Sequence, residues 1–164
     1  MNISASITTP YGDEYRIGLS SVEESLIDDD IYQLLKHEQI EIVEIYLERI
    51  KGKRKATPRI LTEISELIAQ FFMDNAQSIL YYYCDDMISI PNTEKNIPPQ
   101  EYRSRLFSKM FERYQSQHPN LSIHDIPVYI DAVGWPIYLH FITHEKNMKY
   151  VEMLSNDILS HYSK

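Results

Sequence analysis

Cysteine is almost absent from this sequence, which has one, Cys84, in 164 residues. A single cysteine cannot form an internal disulfide, so the composition gives no sign of an oxidising compartment. The first residues lack the basic segment and the apolar run of a secretory signal peptide. No stretch approaches the ~20 apolar residues that a membrane helix needs. We therefore expect a cytoplasmic protein with no membrane association.

Glycine is also scarce, with four residues. No glycine-rich phosphate loop, dinucleotide-binding fingerprint or Gly-x-Ser-x-Gly elbow occurs in the sequence. There is no His-Glu-x-x-His pattern and no cysteine pair for zinc. His140 and His144, together with Asp125 and Asp131, are only a weak metal signal. The sequence predicts neither a metal nor a cofactor.

Basic residues are outnumbered: 16 lysines and arginines face 24 acidic residues, for a formal net charge of -8. Such a balance disfavours nucleic acid, whose phosphates an acidic surface repels. It suits solubility or docking to a basic protein. The 13 tyrosines are the other departure from an ordinary composition.

Hydrophobic periodicity predicts an α+β fold in a single domain spanning residues 1–164. Alternating apolar residues predict a hairpin over residues 3–19, a half-buried strand at 40–50, and two strands around Gly134 and Trp135. Apolar residues spaced by three and four predict helices after Pro58, at 99–116 and at 145–162, with a short helical patch at 30–37. We expect a mostly antiparallel sheet with about three helices, which could cover one face.

The stretch SILYYYCDDM, residues 78–87, predicts an interior strand that is buried on both faces and ends in a polar turn. Asp85 and Asp86 form the turn. The next helix carries Arg103 and Arg105, which could return beside it. Such a cluster of carboxylates and guanidinium groups can be a structural lock, a partner contact or a phosphate site.

This strand and helix together resemble an uncharacterised family of small bacterial proteins, a domain of unknown function. Members carry a hydrophobic strand ending in Tyr-x-Cys-Asp, followed by a helix with Arg-x-Arg-x-x-Phe. The resemblance covers roughly residues 79–114 and implies a fold neighbourhood without a reaction. The residues that carry it are Tyr82, Cys84, Asp85, Arg103, Arg105 and Phe107.

Cys84 could act as a nucleophile only with a histidine base in reach. His124, His140 and His144 are present, but no spacing connects any of them to Cys84. A small buried hydrophobic residue is the simpler interpretation.

Several tyrosines and carboxylates lie opposite the predicted core faces of their strands. If these strands are neighbours, they form one exposed aromatic and acidic surface of the kind that is enriched at protein interfaces. The alternative is a sheet covered on both sides by the chain's own helices. The residues concerned are Glu44, Tyr46, Glu48, Tyr129, Asp131 and Tyr138.

These patterns favour a non-enzymatic acidic module that binds another protein, as antitoxins and immunity proteins do in bacteria. The alternative is an enzyme or binding protein for a phosphorylated or nucleotide ligand, with Asp85, Asp86, Arg103 and Arg105 at its site. A third possibility is a self-associating structural protein. The sequence does not predict the oligomeric state.

Overall fold

A six-stranded sheet with α-helices on both faces is the core of the fold. The computed structural model describes residues 2–53, 58–84, 96–132 and 134–162. The strands are β1 (Asn2–Thr8), β2 (Glu14–Ser21), β3 (Glu41–Lys51), β4 (Ser78–Cys84), β5 (Ile123–Ala132) and β6 (Trp135–His144). The helices are α1 (Asp29–His37), α2 (Pro58–Asp74), α3 (Pro99–Gln117) and α4 (Met148–Tyr162), with short 3-10 turns at Glu24–Leu26 and Glu145–Asn147.

The strand order is β1-β2-β3-β4-β6-β5, and every neighbouring pair is antiparallel except β3 and β4. The parallel pair is joined by α2, as a crossover between parallel strands requires. The predicted α+β class with a mostly antiparallel sheet is confirmed. The described residues contain four α-helices, one more than the three or so expected, because the short patch near residue 30 is a helix in its own right.

Local sequence signals account for where the helices lie. Asp28 caps α1, since its carboxylate accepts a hydrogen bond from the Asp30 N–H at 3.1 Å. Proline occupies the first position of α2 and of α3, where its missing N–H leaves no hydrogen bond unmade. One buried stripe of α2 includes Ile60, Ile64 and Ile68 at helical spacing.

Each face of the sheet has its own apolar core. On one, here called the α2/α3 face, Val43 and Leu80 pack with Phe72 and Phe107. On the other, the α1/α4 face, the core contains Ile42, Ile79, Leu35 and Val151. Because successive side chains of a strand point to opposite faces, one strand contributes to both cores. Helices therefore pack on both faces, which is the alternative of a sheet covered on both sides by the chain's own helices.

Strand β4 lies inside the sheet, between β3 and β6. Ile79 and Leu80, which point to opposite faces, are both fully buried, and Cys84 is 1% exposed. The prediction of an interior strand buried on both faces is confirmed. No helix in the described part of the chain is long and apolar enough to cross a membrane.

A glycine in β2 makes room for a tyrosine of the neighbouring strand. Gly18 is directly opposite Tyr46, and a Cβ at position 18 would come within 1.8 Å of the Tyr46 Cζ atom. The ring therefore lies across the glycine, a cross-strand contact that covers backbone lacking a side chain. Tyr46 is 40% exposed, so its ring can swing into solvent if displaced.

We predict that Gly18→Ala changes the sign of its effect with the residue at position 46. With Tyr46 present, the new methyl group displaces the ring, and the free energy of unfolding falls by about 1 kcal/mol. In a Tyr46→Ala background the same change is stabilising by about 0.5 kcal/mol, because alanine restricts the backbone more than glycine does. Chemical denaturation of the four variants measures both effects, and equal effects in the two backgrounds would contradict the contact.

Candidate functional site

A buried chain of polar side chains joins α3 to the β5–β6 hairpin. The Ser104 hydroxyl lies 2.8 Å from His140 Nε2, and His140 Nδ1 lies 2.7 Å from Asp125 Oδ1. The Ser108 hydroxyl donates to the second oxygen of Asp125 at 2.9 Å. A carboxylate can only accept, so Nδ1–H donates to Asp125, and in the neutral imidazole ring Nε2 then accepts from the Ser104 hydroxyl. We call these four residues the serine–histidine–aspartate relay.

The fold creates this relay through strand register and helix periodicity. Register in the hairpin pairs Asp125 with Ile142 and His140 with Pro127, so Asp125 and His140 are diagonal neighbours on the α2/α3 face. Ser104 and Ser108 are one turn apart on α3 and share its inward side.

The relay is enclosed by apolar and aromatic side chains. His140 is fully buried and the Asp125 side chain is 9% exposed. The Phe107 ring stacks on Tyr82 at 4.5 Å between centroids and lies 5.0 Å from the His140 ring. In such surroundings an unpaired polar group is costly, so the hydrogen bonds position the helix on the sheet specifically.

The order serine, histidine, aspartate is that of the hydrolase triad, in which histidine accepts the serine proton. Hydrolysis also requires a place about 3 Å from the serine oxygen for the substrate's reacting atom. Here the serine oxygen is hydrogen-bonded to His140, which has no solvent exposure and lies between α3 and the sheet. The arrangement suits a structural connection between α3 and the hairpin.

The sequence gives His140 and Asp125 only as a weak metal signal and does not point to Ser104 or Ser108. Both nitrogens of His140 are used in the relay, which leaves no lone pair for a metal. Among the described residues, no group of three or more histidine, cysteine or acidic side chains could hold a metal ion. The available signal was the pair of serines one turn apart, facing strands that carry histidine and aspartate.

The residues of the predicted polar cluster lie in different environments. Arg103 is 2% exposed and lines a void of about 20 Å³ with Tyr82 and Phe107. Arg105 is exposed and pairs with Glu101 one turn earlier. Cys84 is buried beneath the helices, and Asp85 and Asp86 lie outside the described residues. The two arginines thus point to opposite sides of α3, one to the core and one to solvent.

The predicted partner surface is divided between the two faces of the sheet. Glu44, Tyr46 and Glu48 alternate with core residues of β3 and point to the α1/α4 face. Tyr129 and Tyr138 are directly opposite each other and point to the α2/α3 face. Asp131 is exposed on that same face, because it lies two residues beyond Tyr129. Strands β3 and β5 are not neighbours, since β4 and β6 lie between them.

An open groove of about 490 Å³ lies on the α1/α4 face, at the C-terminal end of α4. Tyr81 and Tyr83 of β4 contribute to its floor, with Leu139 and Phe141 of β6. The 3-10 turn at Glu24–Leu26 contributes to one wall and α4 to the other. We call this feature the tyrosine groove.

Apolar side chains of the tyrosine groove remain in contact with solvent. Leu26 is 75% exposed, Tyr162 is 49% exposed and Tyr83 is 36% exposed. Asp28 and Asp157 are the carboxylates among its lining residues, and His161 pairs with Asp157 at 3.4 Å. The groove therefore combines an aromatic floor with an acidic rim.

Electrostatics at the floor of the groove keep one hydroxyl protonated. Burial raises the pKa of Tyr81 far above the usual value for tyrosine, and the nearby Glu44 carboxylate raises it further. Tyr83 and Tyr162 contribute in the same direction. Tyr81 therefore stays protonated to a higher pH than an ordinary tyrosine does.

Comparison with known proteins gives no match, whether with family models, curated proteins or solved structures. The resemblance to an uncharacterised bacterial family therefore stays a prediction.

We predict that Asp125→Ala lowers the free energy of unfolding by about 2–3 kcal/mol, because it leaves the buried His140 N–H without an acceptor. Asp131→Ala is the matched control: it removes an exposed carboxylate from the same face of the same strand and should cost less than about 0.5 kcal/mol. Urea denaturation measures both. Equal costs for the two variants would contradict the relay as a structural connection.

We also predict that Tyr81 makes stability fall in alkaline solution. Above the ordinary tyrosine pKa of 10.0, the unfolded chain loses the Tyr81 proton while the folded chain keeps it. The unfolded state is then favoured as pH rises, so the stabilisation present below pH 10 is progressively lost. The free energy of unfolding of Tyr81→Phe should decline less steeply between pH 10 and 11 than that of the unmodified protein. Denaturant titration at each pH measures both declines. Identical slopes would show that Tyr81 ionises at the same pH in both states.

Proposed function

We propose that this protein is a cytoplasmic, non-enzymatic module that binds another protein, of the inhibitory kind represented by bacterial antitoxins and immunity proteins. The observation that carries the proposal is the tyrosine groove, an exposed aromatic surface on the α1/α4 face that the chain's own helices leave uncovered. Tyrosine is enriched at protein interfaces because it provides a large contact area at low entropic cost.

Charge defines the chemistry of the partner. Asp28 and Asp157 lie among the lining residues, Glu44 is close to Tyr81, and the chain as a whole has a net charge of -8. Such a surface attracts a basic protein and speeds its association. We propose that the groove takes a segment in which an apolar or aromatic anchor is flanked by lysine or arginine.

The burial of two possible nucleophiles supports a binding role over a catalytic one. The Ser104 hydroxyl and the Cys84 thiol, two possible nucleophiles, are both in the core. Arg103 and Arg105 do not share a surface that could hold a phosphate. Two of the exposed aromatic side chains, Tyr83 and Tyr162, by contrast, lie together at one groove.

A capture experiment with paired variants tests this function. The tagged protein is used to capture partners from its native cell lysate at low and moderate salt, with mass spectrometry for identification. We expect one stoichiometric basic partner, and its affinity is then measured with purified proteins by calorimetry. Tyr83→Ala should weaken that affinity by at least tenfold, because a central aromatic contact contributes ~2 kcal/mol or more.

Tyr129→Ala is the matched control, since Tyr129 is 54% exposed but lies on the opposite face. It should leave the affinity unchanged. Loss of binding in Tyr129→Ala with full binding in Tyr83→Ala would place the interface on the α2/α3 face and overturn the groove. Absence of any partner at either salt concentration would overturn the binding function itself.

A further inference from the structure

The two outer strands of the sheet differ in how they are protected from pairing with another strand. The β5 edge has Pro127, which has no N–H to donate, and Asp131, whose charge opposes close approach. Strand β1, at the other edge, has the sequence NISASIT, with neither proline nor charge. An uncharged edge strand of this kind is a ready template for pairing.

The hydrogen-bonding groups of β1 that point outward can be deduced from its hairpin. The Thr9 N–H donates to the Asp13 carbonyl at 2.8 Å, and the ladder continues in one register from that pair. Antiparallel pairs alternate between bonded and non-bonded, so Ile3, Ala5 and Ile7 direct their backbone groups to β2. Ser4 and Ser6 then direct their N–H and carbonyl groups outward, to the open edge.

The central five residues of β1, Ile3-Ser4-Ala5-Ser6-Ile7, are the same in both directions. If two copies pair antiparallel about Ala5, isoleucine lies opposite isoleucine and serine opposite serine. The outward groups fit the same register: Ser4 of one copy and Ser6 of the other form a bonded pair, and the two Ala5 residues form a non-bonded pair. The side-chain pattern and the backbone pattern thus select the same alignment.

Packing and charge near β1 agree with a second copy as the occupant. Ile3 is 48% exposed beside a groove of about 190 Å³, which Ala5, Leu67 and Phe71 also line. A two-fold axis at Ala5, perpendicular to the sheet, would place the grooves of both copies on the same side, next to each other. Arg16, opposite Ser6 on β2, is paired with Glu48 at 3.6 Å, so these two charges beside the strand offset each other.

We propose that the protein forms a symmetric homodimer in which the β1 strands of two copies pair antiparallel about Ala5, joining the two sheets. The interface is isologous, so each copy contributes the same strand. It lies at a different place from the tyrosine groove, so it does not depend on the proposed binding function.

Two charge variants at the serine positions test the register. Ser4→Lys with Ser6→Lys places ammonium groups opposite each other across the axis, so we expect a monomer by light scattering coupled to size exclusion. Ser4→Glu with Ser6→Lys places a carboxylate opposite each ammonium in this register alone, so we expect the dimer to persist. The full chain is used, with any tag at its C-terminus. The Ser4→Glu with Ser6→Lys variant has a midpoint concentration at which half of it is dimeric. If the unmodified protein stays monomeric at ~100 times that concentration, or at every concentration up to ~1 mM, the proposal is overturned.

Single cysteines give a second readout that does not depend on stability. In a non-bonded antiparallel pair the Cα atoms are about 4.5 Å apart, within the range for a disulfide. Ala5→Cys should therefore cross-link two copies under mild oxidation. Ile3→Cys should not, since two copies of residue 3 would be about 13 Å apart along the strands. Equal cross-linking at the two positions, or cross-linking at position 3 alone, would contradict pairing about Ala5.

Discussion

The arrangement of the molecule depends on the need to bury β4 on both faces. Its side chains alternate between two apolar cores, and Ile79 and Leu80, next to each other in sequence, are both fully buried. A strand of this kind has to lie inside the sheet, with strands on both sides and cover above and below. Strand β4 pairs parallel with β3 because α2 carries the chain back across one face of the sheet. Both strands therefore begin at the same end of the sheet. The helices α1 and α4 then cover the other face.

The α2/α3 face contains side chains with the geometry of a catalytic site but without access for a substrate. Ser104, His140 and Asp125 have hydrogen-bond distances that a hydrolase would use, yet the stacked ring of Phe107 and the sheet enclose them. In a low-dielectric environment each of these hydrogen bonds is stronger, and the loss of any one leaves an unpaired polar group. The relay therefore holds α3 in one position over the hairpin, and it gives the core a polar connection where an apolar contact would allow sliding.

The surfaces proposed for interaction lie at separate parts of the same sheet. The tyrosine groove is on the α1/α4 face over β4 and β6, whereas the open edge of β1 is separated from β4 by two strands. The first would recognise side chains through aromatic area and negative charge, and the second would recognise backbone through an uncharged strand. A dimer formed at β1 would leave both grooves accessible, so a partner could bind each copy.

The sequence by itself determined the elements and their ends, because these depend on local properties. Apolar spacing along α2, proline at the first turn of two helices, and the uncharged run of β4 all act within a few residues. Strand parity also predicted that Tyr129 and Tyr138 point away from Val128 and Leu139, their neighbours on the same strands. Only the tertiary structure decided which strands are neighbours, that helices cover both faces, and that Tyr46 and Tyr129 point to opposite sides. The serine–histidine–aspartate relay was also decided only by the tertiary structure, since it joins Ser104 to His140 across 36 residues of sequence. Periodicity assigns faces within one strand, but the face of one strand relative to another depends on long-range pairing, which is decided by the packing of the whole chain.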